Sequence, residues 1–493
     1  MIGRAAGAAR RHMASSAKGT DRIVLVDGVR TPFHPSGTLF NNYIAQDLGR
    51  MAIKGLLART GVEPSSLDYV IYGNVIQEGE GRSSFAGSCV PPKSVRRCCR
   101  HRRGPVPCGM RRASCPVRAQ PQSRVVPVCV APAVRTSNIA RESALGAGVP
   151  DSVPAHTVSM ACISANQAIA TGAMYIATGQ AETVVAGGAE TMSDVPIRWS
   201  RPVRQRMLAS RKAKKPADFL KLLKGLKLSD LAPEAPAIAE FSTGEVMGHA
   251  SDRMAARFGV TREEQDEFAL RSHHNAAKAT SAGLLKGEIM PVDGVQEDTG
   301  VRGDSKLEKL ASLKPAFVRP HGTHTAANSS YLTDGASAVL LMKESRAAAL
   351  GYTPLAAIKD FIFVSQDPKD ELLLGPAYAI SRLMHRAGLK AKDIGVWELH
   401  EAFAGQVLAN LRAMELDSFA KDQAKVPEKV GAVDMDLVNT LGGSLSIGHP
   451  FGATGGRIIT TTANRMGRED SQYGILAACA AGGQGHAMIL ERV

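Results

Sequence analysis

No stretch of this 493-residue chain approaches the roughly 18 uninterrupted apolar residues that a membrane-crossing helix requires, so no spanning segment is expected. Acidic residues are missing from two places, residues 1–20 and residues 81–134. Cysteine is nearly absent outside the second of these, which holds six of the eight (Cys89, Cys98, Cys99, Cys108, Cys115 and Cys129) and leaves only Cys162 and Cys479. The ending Glu491-Arg492-Val493 lacks the Ser-Lys-Leu address read for peroxisomal import.

Each absence excludes something. Residues 81–134 carry ten Arg and Lys93 against no acid, so +11 of the net +14 sits there. The remaining +3 is ordinary for an enzyme and gives no footprint for a nucleic-acid partner. Phe85 is the only aromatic in that stretch, so bases would find no stacking platform. Its cysteines form no repeated Cys-x-x-Cys, which argues against zinc and leaves no metal site expected. High Arg and Pro without apolar periodicity describe an insert outside the fold, with the abrupt edges of translated non-coding sequence. Residues 1–21 combine Arg4, Arg10, Arg11 and Lys18 with Ala and Ser, the composition of a mitochondrial presequence. A matrix location keeps thiols reduced, in line with so few cysteines elsewhere.

What is present reads as α/β. RIVLVDGVRTPF (22–33) is a buried strand and a turn, and 45–59 place Leu48, Met51, Ala52, Leu56 and Leu57 at helical spacing before Gly61. DYVIYGNVIQ (68–77) and AETVVAGGAETMS (181–193) are further strands, with a short helix in NIARESALGAGVP between them. The later half repeats this grammar. DIGVWELHEAF (393–403) echoes DYVIYGNVIQ; GHPFGATGGRIITTTANRM followed by QYGILAACAAGG echoes CISANQAIATGAMYIATG followed by VVAGGAE; DGASAVLLM and QGHAMILER match as closing strands. Two diverged copies of one α/β unit, each with its own sheet, are expected. The halves fall at 22–193 with 321–344, and at 345–493. A different region, 194–320, separates them, and within it 201–227 carries ten basic residues and one acid interleaved with Phe219, Leu220, Leu222, Leu223 and Leu226. Such a segment can lie on an anionic membrane surface or form a solvated helix.

Four strings carry chemistry. Cys162 precedes a small-residue run that starts a helix near Ser164, where the positive end of the helix dipole is expected to lower the thiol pKa toward 7. His449 stands in NTLGGSLSIGHPFGATGG, where glycines let the backbone approach a ligand and an imidazole can exchange a proton with a thiol. Cys479 ends a strand before the glycines of CAAGGQG, whose N–H groups can hold an oxyanion. LHEAFAG places His400 and Glu401 at a strand end, where side chains reach a crevice.

Together these strings resemble the thiolase family, most closely its mitochondrial long-chain branch. So do DGVRTPF, TSNIARESALGAG, FSTGEVMGHASDRMA, LKPAF, TAANSSYLTDGA and VSQDPKDELLLGP, and the likeness covers about 22–80 and 135–493. It implies a five-layered α-β-α-β-α core with an inserted loop domain, a homodimer, and thiolysis of 3-ketoacyl-CoA by CoA in β-oxidation, with CoA as substrate and no cofactor. Carried over by motif, Cys162 is the acyl-accepting nucleophile, His449 its base, and Cys479 the acid/base for the acetyl-CoA enolate and the incoming CoA. His400 stands where many thiolases have asparagine and supports a first oxyanion hole. The N–H groups of Cys162 and Ala481 form a second, with Ala481 replacing a common glycine. Met247, Phe317, Ser330 and Phe403 match positions lining the CoA channel. The branch also implies a hydratase/dehydrogenase α subunit and contact with the inner membrane. A ketoacyl synthase-type condensing enzyme and a membrane-associated scaffold remain the rivals, and Cys479 in CAAGGQG argues against the first.

Overall fold

The computed structural model describes residues 21–76, 138–236 and 239–493. The expected insert at 81–134 and nearly all of the presequence lie outside them. Nine strands of four or more residues build the core: β1 Ile23–Arg30, β2 Tyr69–Gly73, β3 Ala155–Val158, β4 Thr183–Glu190, β5 Thr333–Lys343, β6 Ala356–Ser365, β7 Val396–Leu399, β8 Tyr473–Ala480 and β9 Gln484–Glu491. The helices of eight or more residues are α1 Ala45–Thr60, α2 Ile139–Ala147, α3 Ser164–Ala177, α4 Arg201–Ser210, α5 Pro216–Leu223, α6 Met247–Arg257, α7 Arg262–Ser281, α8 Gly375–Ala387, α9 Ala404–Met414 and α10 Thr454–Arg468.

The duplication is visible in the strand order. The first half runs β3-β2-β4-β5-β1 and the second β7-β8-β9-β6, with Val438 bridging to Trp397 beside β7 where the first half has β3. In each half a parallel pair (β2 with β4, β7 with β8) is followed by an antiparallel closing strand, β5 or β9. The expectation of two separate sheets needs correction. β1 and β6 pair antiparallel through Val24 with Ala357 and Leu25 with Ala356, so one hydrogen-bonded order runs through both halves.

Layering follows from which faces are apolar. α1 buries Leu48, Ala52, Ile53, Leu56 and Leu57 and stops at Gly61, whose φ of 66° suits a left-handed cap that residues with a Cβ adopt only under strain. With α2 it covers the outer face of the first half-sheet; α8 and α9 cover the second. Between the half-sheets lie α3 and α10, sharing a core of Ile169, Ile176, Val339, Leu341, Ile458 and Leu476. Burying each such side chain contributes about 2 kcal/mol. The two helices touch backbone to backbone: a Cβ on Gly455 would sit 2.6 Å from the amide nitrogen of Asn166. The result is the α-β-α-β-α stack. Within region 194–320, Ala250, Met254, Ala255, Phe268 and Ala269 of α6 and α7 join the buried core of the second half.

Candidate active site

Both α3 and α10 begin at the same edge of the stack, and each is led by one of the chemical strings. Cys162 sits on a tight turn two residues before α3, following Ala161 at a φ of 46°. Ser164 locks that turn: its Oγ accepts from the Met160 N–H at 2.8 Å and donates to the Ala161 carbonyl at 2.7 Å. The Cys162 side chain is half-buried and faces a cleft of about 840 Å³, whose wall includes Met247, Leu332, Phe451 and Ala481.

The thiol does not behave as the helix position alone would have it. Burial pushes Cys162 up to about 12, and the charges of Glu190 and Glu240 add to this. The backbone N–H groups of Ala481 and of Cys162 itself oppose the shift without cancelling it. The expected fall toward 7 is therefore overturned, because desolvation of a thiolate outweighs the helix dipole. At neutral pH the free enzyme therefore holds this thiol protonated. Iodoacetamide alkylation of Cys162 should accordingly rise about tenfold per pH unit from pH 7 to 10. A plateau near pH 7, read by mass spectrometry of the labelled peptide, would contradict this.

Cys479 is buried next to the end of β8. Its neighbours Ala478 and Ala480 pack with Ile163 against Cys162. Burial raises its pKa too, and the charge of Cys162 is the second cause, so the two sulfurs sense each other.

His449 is buried at the turn into α10, its N–H bonded to Thr333 Oγ1 at 3.0 Å and its Nδ1 2.7 Å from Thr454 Oγ1. His400, equally buried after β7, has its Nδ1 2.9 Å from Ser444 Oγ. The two rings lie 4.0 Å apart between centroids, and His449 lies 4.9 Å from Phe451, which shares the cleft with Cys162. Neither Nε2 has a protein partner. Burial, then the charge of Arg457, lowers His400 to about 3; burial, then His400 and Arg457, also keeps His449 neutral. Buried nitrogens without partners are rare in folded proteins. Two side by side make a ready cradle for an oxygen that gains charge. Among the described residues no group of three or more His, Cys, Asp and Glu is placed to hold a metal ion.

Of the other expected residues, Met247 lines the cleft, but Phe317, Ser330 and Phe403 are not part of its wall. Phe317 and Phe403 meet edge to face at 5.7 Å, and the Ser330 N–H bonds the carbonyl of Ala402 at 2.9 Å. Glu401 turns away from the cleft chemistry. It accepts from Ser272 Oγ, Asn439 Nδ2 and the Leu445 N–H, holding the loop that carries Ser444.

Sequence reasoning missed Glu190. This buried carboxylate ends β4 and accepts from the N–H groups of Val75, Ile76 and Gly452, each at 3.0 Å. It ties the first half to the turn carrying His449. There the backbones meet so closely that a Cβ on Gly188 would fall 1.8 Å from the Gly452 carbonyl oxygen. The available signal was a lone charge closing the otherwise uncharged run TVVAGGAE.

The model of the thiolase N-terminal domain matches residues 23–90 and 112–345, and that of the C-terminal domain matches 352–492. The unmatched segment is thus 91–111, shorter than the insert expected from composition. The chain is 50% identical over 474 residues to the mitochondrial trifunctional enzyme subunit beta of Homo sapiens, covering 95% of this chain and 88% of that one. It is 49% identical over 492 residues to a probable 3-ketoacyl-CoA thiolase of Caenorhabditis elegans, covering 98% and 97%. The crystal structure of human mitochondrial 3-ketoacyl-CoA thiolase in complex with CoA superposes with a TM-score of 0.72 at 27% identity, covering 96% and 98%.

Proposed function

Because this chain belongs to the thiolase family, we propose that Cys162, His449, Cys479 and His400 are the groups through which it works. The protein is a 3-ketoacyl-CoA thiolase, an acyltransferase of mitochondrial fatty acid oxidation, and long-chain substrates are part of the same reading. One observation carries the assignment of roles. A cleft-facing thiol, a second thiol that senses its charge, and two imidazoles 4.0 Å apart with free Nε2 atoms support it.

The neutral pair of Cys162 thiol and His449 imidazole is the resting state. His449 takes the proton as the sulfur attacks C3 of the substrate, since ionisation in advance is opposed by burial. The C2–C3 bond breaks, the acyl group stays on Cys162, and the enolate of acetyl-CoA leaves. Its C2 is protonated by the Cys479 thiol while the enolate oxygen rests on His400 and the now protonated His449. Incoming CoA gives its proton to the Cys479 thiolate and attacks the thioester; Cys162 leaves and recovers its proton from His449. The N–H groups of Cys162 and Ala481, which already address the sulfur, hold the tetrahedral oxyanion. Each donor lowers the barrier by about 3 kcal/mol. Every proton and electron pair is handled by the chain's own groups, so we propose no cofactor, with CoA as substrate. Thiolysis measured on 3-ketoacyl-CoA of 4 to 16 carbons tests the reading. Preference for the longest chains is expected, and absence of CoA-dependent cleavage at every length would defeat it.

Contact with an anionic membrane, by way of 201–227, is part of the same proposal. α4 and α5 leave Leu208, Leu220 and Leu223 more than 60% exposed, and Leu228 just beyond is 86% exposed. Lys212, Lys214 and Lys215 flank them, all exposed. A basic residue near such a surface contributes about 1 kcal/mol. Replacing Lys212, Lys214, Lys215 and Lys221 by Gln should weaken sedimentation with cardiolipin vesicles by about 100-fold or more and leave thiolysis intact; unchanged sedimentation would dismiss the contact. The inner mitochondrial membrane, a homodimer and a hydratase/dehydrogenase α subunit complete the assembly we propose.

A further inference from the structure

We propose that Ser444 and Thr454 are positioning residues that hold the two adjacent imidazoles in opposite tautomers, His449 with a lone pair on Nε2 and His400 with a hydrogen there. The inference rests on the thiolase reading of the site and adds what sets its proton inventory.

Each hydroxyl joins one Nδ1 to a third group, and the third groups differ in kind. Behind Thr454 stands a carbonyl: Oγ1 donates to the Pro450 oxygen at 3.0 Å while lying 2.7 Å from His449 Nδ1. A carbonyl only accepts. With the hydroxyl hydrogen spent on it, Oγ1 offers its lone pair to an Nδ1–H, and both contacts are made. Turning that hydrogen toward Nδ1 would make one bond where two are available. Behind Ser444 stands a guanidinium: Arg457 Nη2 donates to Oγ at 3.3 Å, and Oγ lies 2.9 Å from His400 Nδ1. A guanidinium only donates. The Ser444 hydrogen is then free for Nδ1, and the opposite arrangement would leave a hydroxyl hydrogen without an acceptor at a fully buried site.

The two relays therefore run in opposite directions. His449 presents an acceptor able to take the Cys162 proton, and His400 presents an N–H able to meet an oxyanion. Arg457 also fits this division. Its charge disfavours imidazolium at both rings, and with centroids 4.0 Å apart they cannot easily be charged together. Only one of them needs to be, and only after Cys162 has given up its proton.

Neutron diffraction from deuterium-exchanged crystals decides the matter without reference to activity. Deuterium is expected on Nδ1 of His449 and on Nε2 of His400; the same nitrogen labelled in both rings would overturn the proposal. A kinetic arm separates positioning from folding. Ser444→Ala should lower kcat about 100-fold while KM for CoA and the rate of Cys162 alkylation stay within twofold. Thr454→Val should lower kcat about 100-fold, and Thr454→Ser should restore it. Equal loss of kcat and alkylation in Ser444→Ala would count against the division of labour. Failure of the wild type to thiolyse any substrate would remove the thiolase roles and leave the tautomers to the neutron result.

Discussion

Cys162→Ala will form no acyl adduct with a long-chain 3-ketoacyl-CoA, and its thiolysis will fall by about 10⁴-fold or more. The expectation rests on what the substitution leaves in place. Ser164 still ties the turn to Met160 and Ala161, and the N–H groups at 162 and 481 remain. Only the sulfur goes, at a half-buried site beside the cleft, so the cost to stability is small. Removing a nucleophile that acts in concert with a base costs about as much as removing the whole unit, on the order of 10⁴ to 10⁶. Intact-protein mass spectrometry after rapid acid quench reads the adduct directly. An acyl group trapped on another residue of the variant would refute the assignment, since Cys479 is then the obvious alternative acceptor.

How far the residues spoke before folding depends on the scale of the signal. The small-residue run after Cys162 announces a helix, and that helix starts where it was expected, at Ser164; the run after His449 opens another at Thr454. The repeated order of strand, helix and strand was equally legible, because α/β periodicity is a local property. The junction of the two half-sheets was not. It consists of two residue pairs between β1 and β6, and nothing in IVLVDGVR or AAIKDFIFVS marks an edge that will be covered. The Cys162 thiol misled for a related reason. A helix N-terminus is visible in sequence, whereas the burial that dominates its ionisation comes from residues hundreds of positions away. Glu190, Ser444 and Arg457 were passed over because each acts through a hydrogen bond to a group in another string, and Thr454 because its contact with His449 is made only by the folded turn.

Cys479→Ala gives the second large effect and divides the reaction in two. Exchange of the acetyl-CoA methyl hydrogens with deuterium oxide is expected to fall about 10³-fold, the range for loss of a positioned acid/base. Acylation of Cys162 by a saturated acyl-CoA should fall far less. Protonating or deprotonating carbon needs a group held against C2, and among the thiols only Cys479 remains for it once Cys162 carries the acyl chain. The CoA thiol is different, because a proton on sulfur exchanges with water far faster than one on carbon. A structural role for Cys479 makes the opposite prediction. The sulfur fills space in the core of the second half with Ala477 and Ala487, and a cavity there would loosen β8 and disturb His400, whose N–H bonds the Ala477 carbonyl at 2.8 Å. Both half-reactions would then decline together. Measured side by side on one preparation, by NMR for the methyl exchange and by mass spectrometry for the acyl-enzyme, the two rates separate chemistry from packing, and a parallel decline would return Cys479 to the core.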